Sequence, residues 1–146
     1  MFDKLNYIEL SGEFYPIKCD MLVLEQIQDK YNDISEFENG ITGFHPKIRE
    51  DGLPERNEEG LIIGMSGVPD IKMLNDGLIW MIREGMDIEK EEGKEKRPEL
   101  TDKQIIRKVD IPPKRLGKIL HDEFNCCFAR KNGETTQSPT TENPSK

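Results

Sequence analysis

Apolar and polar residues alternate from Asn6 to Cys19, with Tyr7, Ile8 and Leu10 before Ser11-Gly12 and Phe14, Tyr15, Ile17 and Cys19 after it. That period of two, broken by Ser-Gly, predicts two short strands around a tight turn. Pro16 has no N–H for a ladder, so it is expected on an edge or at the start of the second strand's paired part. A two-stranded hairpin alone is marginal and needs a helix against one face. The period then changes. Met21, Leu24, Ile27, Gln28 and Tyr31 recur at helical spacing behind Asp20, predicting a helix Met21–Tyr31 capped by Asp20. Asp33 and Glu36 have the form of a capping box, opening a short helix through Phe37 to Asn39 that Gly40 closes.

Residues 43–67 lose any helical period, and His45-Pro46, Gly52, Pro54 and Gly60 punctuate them among eight charged side chains. A polar loop is expected there, with 61–63 adding a short strand that ends at Gly64. The strongest helix starts behind Asp70 and is expected to close at Gly85. Ile71, Leu74, Leu78, Met81 and Ile82 form its stripe, and Met73, Ile79 and Trp80 widen it. Gly77 inside it costs about 1 kcal/mol relative to Ala, for which a close helix crossing is one reason. Residues 89–99 read as a mixed-charge linker with no apolar face. Thr101 and Gln104 form a second capping box before Ile105, Ile106 and Val109. Pro113 suits a first helical turn, after which Leu116, Ile119, Leu120, Glu123, Phe124 and Phe128 make a last amphipathic helix. Residues 131–146 contain no large apolar side chain and are expected to be a disordered polar tail. No internal repeat is evident. The expected fold is α+β: one domain over 1–130, a small N-terminal β-hairpin packed on a mainly helical body.

Composition narrows this picture. A length of 146 residues suits one domain. The 34% charged share exceeds the usual quarter or so, and Leu, Ile, Val and Phe stay above the rough 20% floor of disordered chains, so the core is modest. No apolar run approaches the roughly 18 residues of a membrane span. The net charge of −8 divides into −11 over residues 1–100 and +3 over 101–146. An acidic whole repels phosphate backbones, which argues against general nucleic-acid coating and leaves only the last third to meet DNA or an acidic protein. Cys19, Cys126 and Cys127 form an odd set behind a start with no basic leader or apolar stretch, so reduced intracellular thiols are expected.

Catalytic chemistry is sparse. His45 and His121 are the two histidines, each in polar surroundings, and surface positions are the favoured reading. His121, Cys126 and Cys127 would not converge on zinc from one helix, and a buried apolar role for Cys126 or Cys127 is preferred. Runs such as Glu58-Glu59 and Glu91-Glu92 have no apolar wall to raise a pKa and read as solvated. The segment 64–67, Gly-Met-Ser-Gly, lacks the phosphate-loop signatures and reads as an ordinary turn. No catalytic, cofactor or metal site is therefore expected. Two features bear on binding. Lys103, Arg107, Lys108, Lys114, Arg115 and Lys118 lie on two short helices around 110–113, superficially like a helix-turn-helix reader over 101–124. A solvated basic face, or one docking on the acidic N-terminal part through Arg107, Lys108, Lys114, Arg115 and Lys118, is the preferred alternative. The helix from Ile71 to Met86 is rich in Met and aliphatics. Core packing explains most of it, while Met73, Leu74, Trp80 and Met81 are the candidate face for a partner or for self-association.

The order of pieces resembles a known family. Residues 15–20 (Tyr-Pro-Ile-Lys-Cys-Asp), then 22–31 (Leu-Val-Leu-Glu-Gln-Ile-Gln-Asp-Lys-Tyr) and 34–38 (Ile-Ser-Glu-Phe-Glu) resemble the opening of tail assembly chaperones of long-tailed bacteriophages and prophages of Gram-positive hosts. Residues 82–89 and 96–104 look like that family's central-helix end and its entry to the C-terminal helices, so the resemblance spans about residues 6–128. It implies a non-enzymatic protein of the bacterial host cytoplasm. Such a protein binds the tape-measure protein, keeps it soluble, helps recruit tail-tube subunits, and leaves before the virion is finished. The resemblance also implies a longer form made by ribosomal frameshifting in many relatives. The alternative from another class is a small DNA-binding regulator using residues 101–124.

Overall fold

Strands β1 (Asn6–Leu10) and β2 (Glu13–Ile17) pair antiparallel, with Ile8 opposite Tyr15 and Tyr7 opposite Pro16. Ser11 and Gly12 both take positive φ, 52° and 82°, the requirement of the two-residue turn whose twist matches the strands. The Ser11 hydroxyl donates to the Lys108 carbonyl at 2.6 Å, offsetting part of the cost of a non-glycine there. Ile8, Leu10, Tyr15 and Ile17 face the core. In this register Tyr7 and Pro16 form a non-hydrogen-bonded pair, so the ladder needs no N–H from proline. The structure, a computed structural model, describes residues 5–94 and 97–128. The expected tail, 131–146, and the domain limit at 130 lie outside the described residues.

Helix α1 (Met21–Tyr31) follows Asp20, whose carboxylate accepts from the Val23 N–H at 3.2 Å. Its buried side chains are Val23, Leu24 and Ile27, while Met21 points to solvent. Helix α2 (Ile34–Thr42) is capped by Asp33 alone, which accepts from the Ser35 N–H at 2.8 Å. It runs past Gly40 and closes at Gly43, φ +80°, because the Met73 side chain lies where a Cβ on residue 40 would be. Helix α3 (Ile71–Glu91), capped by Asp70, likewise passes through the expected stop at Gly85. A Cβ on Gly85 would lie 2.6 Å from the Pro16 carbonyl group, so this glycine admits β2 against the helix rather than ending it. Gly77 does mark a close crossing, with the Phe37 ring edge 2.8 Å from its missing Cβ. Helix α4 (Asp102–Arg107) opens with the reciprocal box of Thr101 and Gln104, at 3.1 and 2.8 Å. Helix α5 (Pro113–Cys126) begins on Pro113 and packs against α2 and α3.

The centre of the molecule is Phe37, fully buried, with ring centroids of Tyr31, Trp80 and Phe124 at 5.9, 6.4 and 6.4 Å. The hairpin, α1, α2 and α5 surround α3, which supplies Leu74, Leu78, Ile79, Met81 and Ile82 to one continuous core. Two buried carboxylates tie the periphery to it. Glu123 accepts from Asn6 at 2.7 Å and from the Cys19 N–H at 3.3 Å. Glu89 accepts from Tyr7 at 2.9 Å and from Arg97 at 2.7 Å. Arg97 also donates to the Phe14 carbonyl at 2.9 Å and lies over the Tyr15 ring. The stretch 89–99 is therefore no free linker: its first three residues continue α3, and Arg97 fastens the return to the hairpin.

Burial raises the Glu84 carboxyl to about 8, with the neighbouring Asp20, Asp87 and Glu91 carboxylates adding to the effect. Burial raises Glu123 as well. A carboxyl whose folded pKa is raised keeps a proton that the unfolded chain releases, so its contribution to stability falls as pH rises. For Glu84 the window runs from its ordinary 4.5 to about 8. The melting temperature is expected to drop by a few degrees across it, and Glu84→Gln to flatten that slope, as read by thermal unfolding in a pH series.

The stretch 43–67 departs most from the expectation of a loop. Strands β3 (Phe44–Pro46) and β4 (Gly64–Ser66) pair antiparallel, and isolated bridges join Ile48 to Pro54 and Arg56 to Ile62. The strand is therefore Gly64–Ser66 and not 61–63, of which only Ile62 makes an isolated bridge, and the 64–67 segment is not an ordinary turn. Three backbone bonds close a ring: Lys47 N–H to Ile63 O at 2.9 Å, Ile63 N–H to Glu55 O at 2.9 Å, Glu55 N–H to Lys47 O at 2.8 Å. Their spacing of eight residues exposes a short repeat: Glu-Asp-Gly-Leu at 50–53 matches Glu-Glu-Gly-Leu at 58–61. In each, a glycine of positive φ, Gly52 or Gly60, ends the turn. The unit is too short and too polar to register as a repeat by hydrophobic period.

Candidate functional site

The four residues expected to meet a partner divide. Leu74 and Met81 are core residues, 2% and 0% exposed, and are unavailable to a partner. The reason is that α3 is covered on several sides, so its wide apolar stripe is spent inward. Trp80 is half-buried against Phe37 and Tyr31. Met73 is half-buried and lies over Gly40, where it reaches a surface cleft.

That cleft, of about 420 Å³, lies between α2, β3 and the start of α3. Phe44, Pro46, Val68 and Met73 supply its apolar walls, and Glu36 and Asp70 its charge; no lysine or arginine lines it. Local sequence places each group. Gly43 at positive φ turns the chain from α2 into β3, and Gly67 N–H donates to Gly43 O at 2.7 Å, bringing Val68 beside Phe44. Asp70 N–H donates to Gly40 O at 2.8 Å, and its carboxylate caps α3 while facing the cleft. Val68 is 70% exposed, and Met65, 75% exposed, precedes it by three residues. Ile48, Leu53, Leu61 and Ile62 are also exposed on the adjoining strands and turns, giving six large apolar side chains outside the core within residues 48–68. Exposed apolar surface of this density marks interaction sites. Charged neighbours mask it in the sequence; the signal is that Ile48, Leu53, Leu61, Ile62, Met65 and Val68 fall in a stretch with no helical period to bury them. A second cleft of about 290 Å³ lies between the end of α3 and residues 97–100, lined by both signs of charge, including Arg83, Asp87 and Lys90.

The basic residues are engaged differently. Lys108 pairs with Glu13 at 3.1 Å, which Lys108 and Tyr15 hold below the usual carboxylate range. Lys114 donates to Ser66 at 3.2 Å, and Lys118 faces Asp122 at 3.6 Å on its own helix. Arg107 and Arg115 are exposed. Helix α4 rests on α3, while α5 turns Leu116, Gly117 and Leu120 into the core against α2.

His121 departs from the expected surface position: it is half-buried, its ring nitrogen lies 2.7 Å from Glu38 on α2, and the ring stacks on Phe124. Of the cysteines, Cys19 is buried, Cys127 is half-buried against the core, the apolar role expected of one of the pair, and Cys126 is exposed. No helix among the described residues is long and apolar enough to cross a membrane. Comparison with protein-family models, with curated proteins and with solved structures finds no match for this chain.

Proposed function

We propose that this protein is a phage tail assembly chaperone, a non-enzymatic binder that works in the host cytoplasm. On this reading it holds the tape-measure protein soluble, helps recruit tail-tube subunits and leaves before the virion is complete. The resemblance of the ordered segments 15–38, 82–89 and 96–104 supports it. The structural observation that carries it is the display of six large apolar side chains from residues 48–68 on a body of net charge −8. Such a surface can shield an aggregation-prone partner while charge repulsion keeps the pair in solution.

The test is co-expression with the tape-measure protein of the same gene neighbourhood. The soluble yield of that partner is expected to rise several-fold, and an unchanged yield overturns the reading. Purified particles examined by mass spectrometry are expected to lack this chain; its retention would make it a tail component instead. For the DNA-binding alternative over 101–124, the basic side chains engaged with Glu13, Ser66 and Asp122 offer no support. A gel shift with duplex DNA at low salt is expected to show no complex.

A further inference from the structure

The cleft between α2, β3 and the start of α3 has a chemistry that selects its occupant. Its volume of about 420 Å³ is that of a site for a few side chains, within the roughly 300–1000 Å³ of ligand pockets. Its walls are mainly apolar, with Asn39 and His45 also lining it, and its two carboxylates, Glu36 and Asp70, are both negative. Glu36 has no ion pair among the described residues, and Asp70 uses its carboxylate on the Met73 N–H at 3.0 Å without a cationic partner. The edge of β3 beside the cleft is poor in donors: the Phe44 N–H donates to the Thr42 hydroxyl at 3.4 Å and Pro46 has no N–H. An added strand finds little to pair with there, so a partner is read through side chains, as an amphipathic helix is read in a groove.

We propose that this cleft takes the apolar side chains of a cationic amphipathic helix from a partner protein, with that helix's Lys and Arg residues lying against Glu36 and Asp70. The inference deepens the chaperone reading and rests on it for the identity of the partner, though not for the chemistry. Exposed Val68 and Met65 extend the apolar wall beyond the cleft, so the helix has surface to lie on as well as a hole to fill.

The probe is a fluorescent Leu/Lys amphipathic peptide of about 18 residues, long enough to hold a helix, titrated into the full chain by anisotropy. A Leu/Glu peptide of the same pattern serves as its counterpart. The Leu/Lys peptide is expected to bind and the Leu/Glu peptide not. Val68→Lys and Glu36→Lys are expected to weaken binding about tenfold or more. Glu25→Lys, the same charge change on exposed α1 surface, is expected to alter it less than about twofold. Circular dichroism on each variant checks the fold. Equal losses from Glu25→Lys and Glu36→Lys would reduce the binding to net charge and overturn the proposal, as would equal binding of the two peptides. A wild-type oligomer that Val68→Lys converts to monomer would make the occupant a second copy and overturn it also. The two readings fail separately. If the tape-measure protein is rescued equally by wild type and Val68→Lys, the cleft is wrong and the chaperone stands. If the peptide binds as expected but no tape-measure rescue occurs, the cleft stands and the chaperone reading falls.

Discussion

Phe37→Ala is expected to lower the urea midpoint of the protein further than any other single truncation. Truncating a fully buried aromatic costs about 3–5 kcal/mol, against a total stability for domains of roughly 5–15 kcal/mol. Phe37 stands at the upper end of that cost for a structural reason. Its ring meets aromatic rings from α1, α3 and α5, and it also fills the notch left by Gly77. Four helices would therefore have to move together to close the cavity, and the outer two are anchored elsewhere. Urea unfolding monitored by Trp80 fluorescence reads the effect directly, since that side chain lines the same cluster. A midpoint unchanged from wild type would show that the cluster is not the centre of stability.

Gly117→Ala should produce the next largest loss. Alanine is the better helix former by about 1 kcal/mol, so an exposed glycine in α5 would gain from the change. Here the added Cβ would overlap the Ile41 carbonyl oxygen, with the Leu74 side chain next to it. A backbone atom on α2 cannot swing aside as a side-chain tip can, so α2 and α5 must separate. A net loss of about 2 kcal/mol or more follows from overpacking at such a contact. Gly77→Ala is the internal comparison, because its nearest neighbour is the edge of a ring at 2.8 Å, and its loss should be smaller. Equal urea midpoints for the two variants would mean that α2 and α5 are not held at close approach.

What the sequence made readable follows from the range of the interactions concerned. Asp20, Asp70 and the Thr101–Gln104 pair each act within three residues, and all three caps stand where local chemistry puts them. Ser11-Gly12 sets its turn by its own dihedrals. Glycine most often serves at helix ends, but the reason for Gly40 and Gly85 is a contact with Met73 and with Pro16, each distant in sequence. The site was less legible than the fold. Its lining comes from α2, β3 and the start of α3, and of Met73, Leu74, Trp80 and Met81 only Met73 reaches it. Glu36 and Asp70 each have a sufficient local role at the start of a helix, so nothing in the sequence set them apart as the walls of a cleft.

The Glu123 carboxylate has a bearing on how the chain comes to be folded at all. It holds Asn6, 117 residues upstream, and Cys19, 104 residues upstream, at one point inside the molecule. The hairpin is made long before α5, yet its lining is finished only when α5 emerges. Contacts of such sequence separation slow folding. They also leave a product ending before α5 unfinished: its hairpin still has α3 to pack on, but Leu116, Leu120, Glu123 and Phe124 would be missing from the core. Until α5 arrives the apolar faces of α2 and α3 that it covers lie open, and the acidic charge of the first hundred residues helps to keep the waiting chain apart from its neighbours.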